Sequence, residues 1–260
     1  MIFDSHAHYD DEAFENDYNR LLEEMPQKGI GHVCDVGASM ESSQRALLLA
    51  QTYPYVYAAV GIHPEHADTL ENGSHSLEEL RAMASHEKVV AIGEIGLDYH
   101  YEDNPSPEVQ QKWFRQQIRL AKEVKLPIII HSRDAAADTF AIMKEENAKE
   151  AGGVLHCYSY SAEMARQFLA FDFYFGFGGV VTFKNAKKAK QAVEAVPLDH
   201  ILLETDCPYM APEPHRGERN SSLFLPHIAR AIGEIKGIST EEVIRVTEEN
   251  AFRMFGIETP

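Results

Sequence analysis

Six side chains able to bind a metal follow short apolar runs. His6 and His8 come after Ile2-Phe3-Asp4, and Glu94 after Val89-Val90-Ala91-Ile92. His131 ends Ile128-Ile129-Ile130, His156 ends Val154-Leu155, and Asp206 lies just beyond Ile201-Leu202-Leu203. Imidazole suits Zn²⁺, Mn²⁺ or Fe, and carboxylate also suits Mg²⁺. Residues two apart on a strand face the same way, so His6 and His8 can grip one ion together. A His-x-His pair alone is weak evidence. His131 or His156 alone reads equally as a hydrogen-bonded core histidine, and Glu94 or Asp206 as a helix cap or ion-pair partner. The conjunction carries the weight, because buried charged groups are rare unless paired or metal-bound. Four histidines with two acids can supply two divalent ions with one carboxylate shared. Such a pair stabilises both the attacking and the leaving oxygen of a displacement.

The elements that must position these groups are legible in the rhythm of the chain. Apolar runs recur at Met1–Asp4, His32–Val36, Tyr55–Ile62, Val89–Glu94, Pro127–His131, Gly153–Cys157, Phe173–Gly179 and Ile201–Asp206. They are mostly continuous rather than alternating, the pattern of parallel strands covered on both faces. Helical periodicity is expected over Ser39–Tyr53, Pro107–Lys125, Asp134–Glu146, Ala162–Leu169, Leu223–Lys236 and Thr240–Met254. The second of these stops at Leu126-Pro127, where proline disfavours helix in the residue before it. Ser239 with Glu242 predicts a capping box for the last. Eight strands, each followed by helix, predict a (β/α)₈ TIM barrel forming one domain over residues 1–260. An open doubly wound sheet would place a Gly-x-Gly-x-x-Gly after the first strand, and none is there. In a barrel, the C-terminal strand ends form one face, where all six side chains can meet.

Composition bounds the partners. The net charge is -17, from 24 Lys+Arg against 41 Asp+Glu. Such a chain repels phosphates on average, so a phosphodiester substrate needs metal ions or a local basic patch. The main basic cluster is Lys184, Lys187, Lys188 and Lys190, read either as a solvated helix face or as a strand-guiding patch. Cys34, Cys157 and Cys207 are too few and scattered for a disulfide framework and include no Cys-x-x-Cys. There is no apolar run long enough to span a bilayer and no secretory signal, so the cytoplasm is the expected compartment, with no membrane contact and no obligate protein partner evident.

The segments around these residues resemble the TatD family of metal-dependent nucleases, within the amidohydrolase-like metal barrels. They are Phe3-Asp4-Ser5-His6-Ala7-His8, Gly93-Glu94-Ile95-Gly96-Leu97-Asp98-Tyr99, Pro127 to Ala135, His156-Cys157-Tyr158-Ser159, and Leu202 to Tyr209 with Arg216-Gly217 and Asn220. Nearly the whole chain is covered. The family commonly has proline two positions after the asparagine, whereas this chain has Asn220-Ser221-Ser222. The wider superfamily often bridges its metals with a modified lysine. Glu94 stands there in this chain, as in the TatD pattern.

The resemblance implies two divalent ions (Zn, Mg or Mn). His6, His8 and Asp206 would hold one, His131 and His156 the other, and Glu94 would bridge them. Asp206 would also take a proton from the attacking water. Glu204 shares strand parity with Asp206, so it stands either behind the ligands or as a structural buried acid. His63 in Gly61-Ile62-His63-Pro64 touches substrate or caps its loop, and Arg133 and Tyr158 either bind a phosphate or belong to the barrel rim. The activity implied is 3′-to-5′ hydrolysis of single-stranded DNA, with RNA as a further substrate. Two rivals stand beside it: a metallohydrolase of small esters, lactones, amides or phosphate monoesters, and a catalytically silent protein that binds metal or nucleic acid.

Overall fold

A computed structural model describes residues 1–259. Eight strands form one parallel sheet in sequence order: β1 Ile2–Ala7, β2 Ile30–Val36, β3 Val56–Val60, β4 Val89–Asp98, β5 Ile128–Arg133, β6 Gly153–Leu155, β7 Tyr174–Phe177 and β8 Ile201–Leu203. A parallel bridge from Ala7 to Cys207 brings the last strand back to the first, and the sheet closes into the expected (β/α)₈ barrel. Among the described residues, ten α-helices follow the strands or cover the barrel: α1 Tyr18–Glu24, α2 Met40–Thr52, α3 Ala67–Glu71, α4 Leu77–Ala84, α5 Pro107–Val124, α6 Ala136–Glu145, α7 Ala162–Phe168, α8 Lys187–Ala195, α9 Leu225–Lys236 and α10 Thr240–Phe255.

Local chemistry explains the helix boundaries. Pro107 opens α5 at a position where no N–H is needed, and Lys125 ends it in the left-handed region at φ 59° before Leu126-Pro127. Ser39 caps α2 by accepting from Ser42 N. Only half of the box expected at α10 forms. Ser239 Oγ accepts from Glu242 N, but the Glu242 carboxylate turns instead to Arg245 at 2.7 and 3.0 Å, since an ion pair one turn along competes for it. Helices α1, α3, α4 and α8 lie outside the expected set. Of these, α4 does carry a full capping box, from Ser76 and Glu79.

The strands are buried on both faces, as their continuous apolar runs require; β1 and β4 are buried throughout. Phe3, Cys34, Ala59, Val90, Ile129, Val154, Tyr174 and Leu202, one from each strand, meet in a single apolar cluster, which is therefore the barrel interior. Phe252 and Phe255 of α10 pack there against Phe3, with ring centroids 5.7 and 5.5 Å away. Burying each ring contributes roughly 1.5–3 kcal/mol. This apolar filling occupies the end where the strands start and leaves the opposite end to polar groups. Among the described residues, no helix is long and apolar enough to cross a membrane.

Candidate metal centre

Two irregularities in strand pairing aim the side chains. Asp4 pairs with Val33 and Ala7 with Asp35, so three steps along β1 match two along β2. The extra residue lets Phe3 face the apolar interior while His6, three residues on, also faces inward. A second shift lies between Ile92, opposite Ile128, and Ile95, opposite Ile130. Glu94 sits in that stretch, in the middle of β4. It is not at the strand's end, because Ile95–Asp98 go on pairing with β5. Gly96 makes this continuation possible: at φ 145° it lies so close to β5 that a Cβ would fall 1.9 Å from the His131 carbonyl oxygen.

The six side chains converge in two overlapping sets. In the first, the His6 and His8 Nε2 atoms stand 3.1 Å apart. Glu94 Oε2 lies 3.5 and 3.8 Å from them, and Asp206 Oδ1 lies 3.7 and 3.4 Å away. In the second, Glu94 Oε1 is 2.8 Å from His131 Nδ1 and 2.6 Å from His156 Nε2, and those nitrogens are 3.1 Å apart. Donors about 2.1 Å from a tetrahedral ion stand roughly 3.4 Å apart, and the five distances that link His6 and His8 to each other and to the two acids lie near that spacing. His8 Nδ1 is 2.7 Å from the Val36 carbonyl, which can only accept, so Nδ1 carries the hydrogen and Nε2 keeps a lone pair toward the centre. The donor set therefore fits divalent cations.

The electrostatics agree. Burial, with His156 next to it, pulls His6 down to about 4, so this imidazole is neutral. Burial opposes charge on Glu94 too, yet His156 and His63 outweigh it and hold the carboxyl well below its usual range. Asp206 is likewise lowered against its burial, chiefly by His8. His8 rises to about 10 and His131 to about 9; burial opposes both, and the carboxylates beside them outweigh it. Two buried carboxylates thus demand positive charge, which protons on His8 and His131 or bound cations can supply.

Behind this centre stand groups of two kinds. Asp98, which sequence reasoning left without a role, accepts from His131 Nε2 at 3.2 Å and turns Nδ1 toward Glu94. The available signal was its place four residues after Glu94 within Gly93–Tyr99. Glu204 is fully buried and accepts from the Cys157 N–H, fixing a residue held at φ 44° directly after His156. Burial raises its carboxyl to about 8. A Cβ on Gly176 would lie 2.0 Å from Glu204 Oε2, so glycine there makes room for the acid. Asp4 ties β1 to β8, accepting from Thr205 Oγ1 at 2.7 Å and Ser222 Oγ at 2.6 Å. Asn220 donates to the Thr205 and Tyr209 carbonyls, and Ser222 N–H donates to the Tyr9 hydroxyl. The serine that departs from the family's proline is thus held by three hydrogen bonds, two to the Tyr9 hydroxyl and one to Asp4.

The expected substrate contacts divide. His63 joins the centre, with Nε2 3.8 Å from Glu94 Oε1 and its ring 4.4 Å from that of His131. Its Nδ1 accepts from Glu65 N, which leaves the hydrogen on Nε2. Arg133 stands on the rim, donating to the Tyr101 hydroxyl at 3.1 Å. Tyr158 does not reach the site: it is buried, its hydroxyl donates to the Ser161 carbonyl at 2.9 Å, and its ring packs edge-on against Phe175. Apolar packing claims this ring, which lies beyond the end of β6 at Leu155 and against Phe175 and Phe177 of β7. Of the lysine cluster, Lys187, Lys188 and Lys190 lie on α8, and Lys184 precedes it, exposed.

Comparison with known proteins follows the same lines. A family model described as TatD related DNase matches residues 3–256. The chain is 44% identical over 257 residues to YabD of Bacillus subtilis, named an uncharacterized metal-dependent hydrolase, covering 99% of this chain and 100% of that protein. It is 32% identical over 260 residues to a protein of Cronobacter sakazakii named 3′-5′ ssDNA/RNA exonuclease TatD, covering 98% and 97%. The crystal structure of YJJV, a TatD homolog from Escherichia coli K12, superposes with a TM-score of 0.91 at 31% identity, covering 99% of this chain and 98% of that one.

Proposed function

The chain belongs to the family of TatD related DNases, and from that premise we propose that it is a metal-dependent hydrolase cutting phosphodiester bonds in single-stranded DNA from the 3′ end, with RNA as a further substrate. The observation that carries this reading is the split use of Glu94, whose Oε2 faces His6 and His8 while Oε1 faces His131 and His156. One carboxylate between two donor sets is the arrangement of a bridged ion pair. His6, His8 and Asp206 would hold one cation and His131 and His156 the second, with Glu94 available to both.

Bound there, divalent cations lower the pKa of water and neutralise phosphate oxygens, which answers the local need set by a net charge of -17. Asp206 takes the proton from the attacking water. Its side chain is 13% exposed against 5% for Glu94, so it is the acid open to an incoming molecule. His63 Nε2–H donates to a phosphate oxygen, and Arg133 offers positive charge to the strand at the rim. Glu204 and Asp98 hold His156 and His131 in place.

Cleavage of single-stranded DNA, RNA and a panel of small esters is measured with and without chelator, beside metal analysis of protein purified without added metal. Loss of DNA cleavage on chelation and in Asp206→Asn is expected. Undiminished DNA cleavage by Asp206→Asn would sink the assigned roles. Ester turnover far above DNA cleavage would move the substrate to the small-ester class, and tight metal binding without any hydrolysis would make this a binding protein.

A further inference from the structure

A cavity of about 470 Å³ lies beside the centre, lined by Arg133, Lys188, His100, Ser159, Ser161 and Asp134 among others. It contains none of the six converging side chains, yet two of its walls grow directly from them. Arg133 is two residues beyond His131 on β5, and Ser159 is three beyond His156. At the reach of an extended chain, Arg133 Cα is within about 7 Å of His131 Cα. A ligand in the cavity is therefore a close neighbour of whatever sits at Glu94.

The lining fits a phosphate. Arg81, Arg115, Arg119, Arg219 and Arg245 are paired with carboxylates. Arg133 and Lys188 have no such pairing among the described residues, and the guanidinium is engaged only by Tyr101. Two cations without acid partners on one cavity wall form a local positive site in a strongly acidic protein. The one carboxylate there, Asp134, is held 2.8 Å from His100 Nδ1. Ser161 Oγ caps the following helix, accepting from Met164 N, and its hydroxyl is engaged by the Glu163 carboxylate. At the rim stands Tyr101, 56% exposed, with the Arg133 guanidinium 4.9 Å from its ring centroid. An exposed ring beside a cationic cleft is a stacking surface for a base.

We propose that this cavity is a second phosphate subsite for the same bound strand: Arg133 and Lys188 hold a phosphate next to the scissile one, and Tyr101 stacks on a neighbouring base. It rests on the nuclease reading and adds a substrate requirement, that a chain of several nucleotides is preferred over a single diester. It also gives Lys188 a task separate from the rest of its cluster.

The test compares wild type with Lys188→Ala, Lys188→Glu and Tyr101→Ala, all at exposed positions and each checked by thermal melting. Binding of a fluorescent single-stranded oligothymidylate is read by anisotropy in excess chelator, so that turnover plays no part. In parallel, kcat/KM is measured with metal for the same oligonucleotide and for the p-nitrophenyl ester of thymidine 5′-monophosphate, which has no second phosphate. Tyr101→Ala is expected to weaken oligonucleotide binding about tenfold. Lys188→Ala is expected to lower the salt dependence of log K by about 0.7, with Lys188→Glu weaker still. None of the three variants changes the rate on the small diester. Unchanged oligonucleotide binding in all three variants, or equal losses on both substrates, would overturn the subsite. Wild type that neither binds nor cleaves oligonucleotide defeats the nuclease reading itself, and the subsite with it.

Discussion

Replacing Asp98 with alanine is expected to loosen metal binding at the Glu94–His131–His156 set by about ten- to a hundredfold, while His6, His8 and Asp206 hold their ion as before. Asp98 is 2% exposed, and its Oδ2 lies 3.2 Å from His131 Nε2. A carboxylate there can only accept, so His131 keeps its hydrogen on Nε2 and its lone pair on Nδ1, the atom 2.8 Å from Glu94 and 3.1 Å from His156. Alanine leaves the Nε2 hydrogen without an acceptor in a buried site, at about 1–3 kcal/mol. The ring then turns or exchanges tautomers, and either change removes Nδ1 from the centre. A ten- to hundredfold loss corresponds to about 1.4–2.7 kcal/mol, which the unpaired donor alone can supply. Zn²⁺ titration in competition with a chromophoric chelator resolves two steps, of which one should shift. Asp98→Asn keeps an acceptor oxygen and should shift it less. If both variants bind both ions within about twofold of wild type, Asp98 does not orient His131. An equal shift of both steps would mean general damage instead.

Other outcomes follow from the same contacts. Ser222→Pro removes the N–H bonded to Tyr9 and the hydroxyl bonded to Asp4, and should lower stability by about 1–3 kcal/mol in a chemical denaturation experiment. Gly176→Ala pushes a methyl group into Glu204 and should cost about 1–3 kcal/mol, with DNA cleavage falling further than stability if Glu204 positions His156. Glu146 is held below its usual range by Arg119, so its contribution is full above the unfolded value near 4.5 and is lost as pH falls through the lower folded value. Urea midpoints measured across that acid window should fall less steeply for Glu146→Gln than for wild type. Chelation should lower the melting temperature of wild type and leave that of a His6→Ala, His131→Ala double variant nearly unchanged, because bound ions stabilise only the state that binds them.

Much of the site was present in one dimension. Parallel strands buried on both faces must be continuous apolar runs, so a polar residue directly after such a run marks a strand end. That reasoning pointed to His6, His8, His131, His156 and Asp206, which the closed barrel brings together, although His6 and His131 lie within β1 and β5 and not beyond their ends. Helix limits at Ser39, Pro107 and Leu126-Pro127 were equally local, since caps and proline act within one turn.

What tertiary structure alone decided concerns register and competition between partners. Glu94 reaches both donor sets from the middle of β4 because that strand slips against β5, a relation between residues far apart in sequence. Asp98 gains a role only once β4 continues beside His131. Tyr158 loses one to the apolar ring cluster of β7, and Glu242 leaves its cap for Arg245. Lys188 becomes distinct from its neighbours only when α8 is laid beside the β5 and β6 loops. Periodicity fixes the face on which a side chain emerges within its own element. Which group it meets there depends on how elements slide and pack, and that is set by the summed contacts of the folded chain.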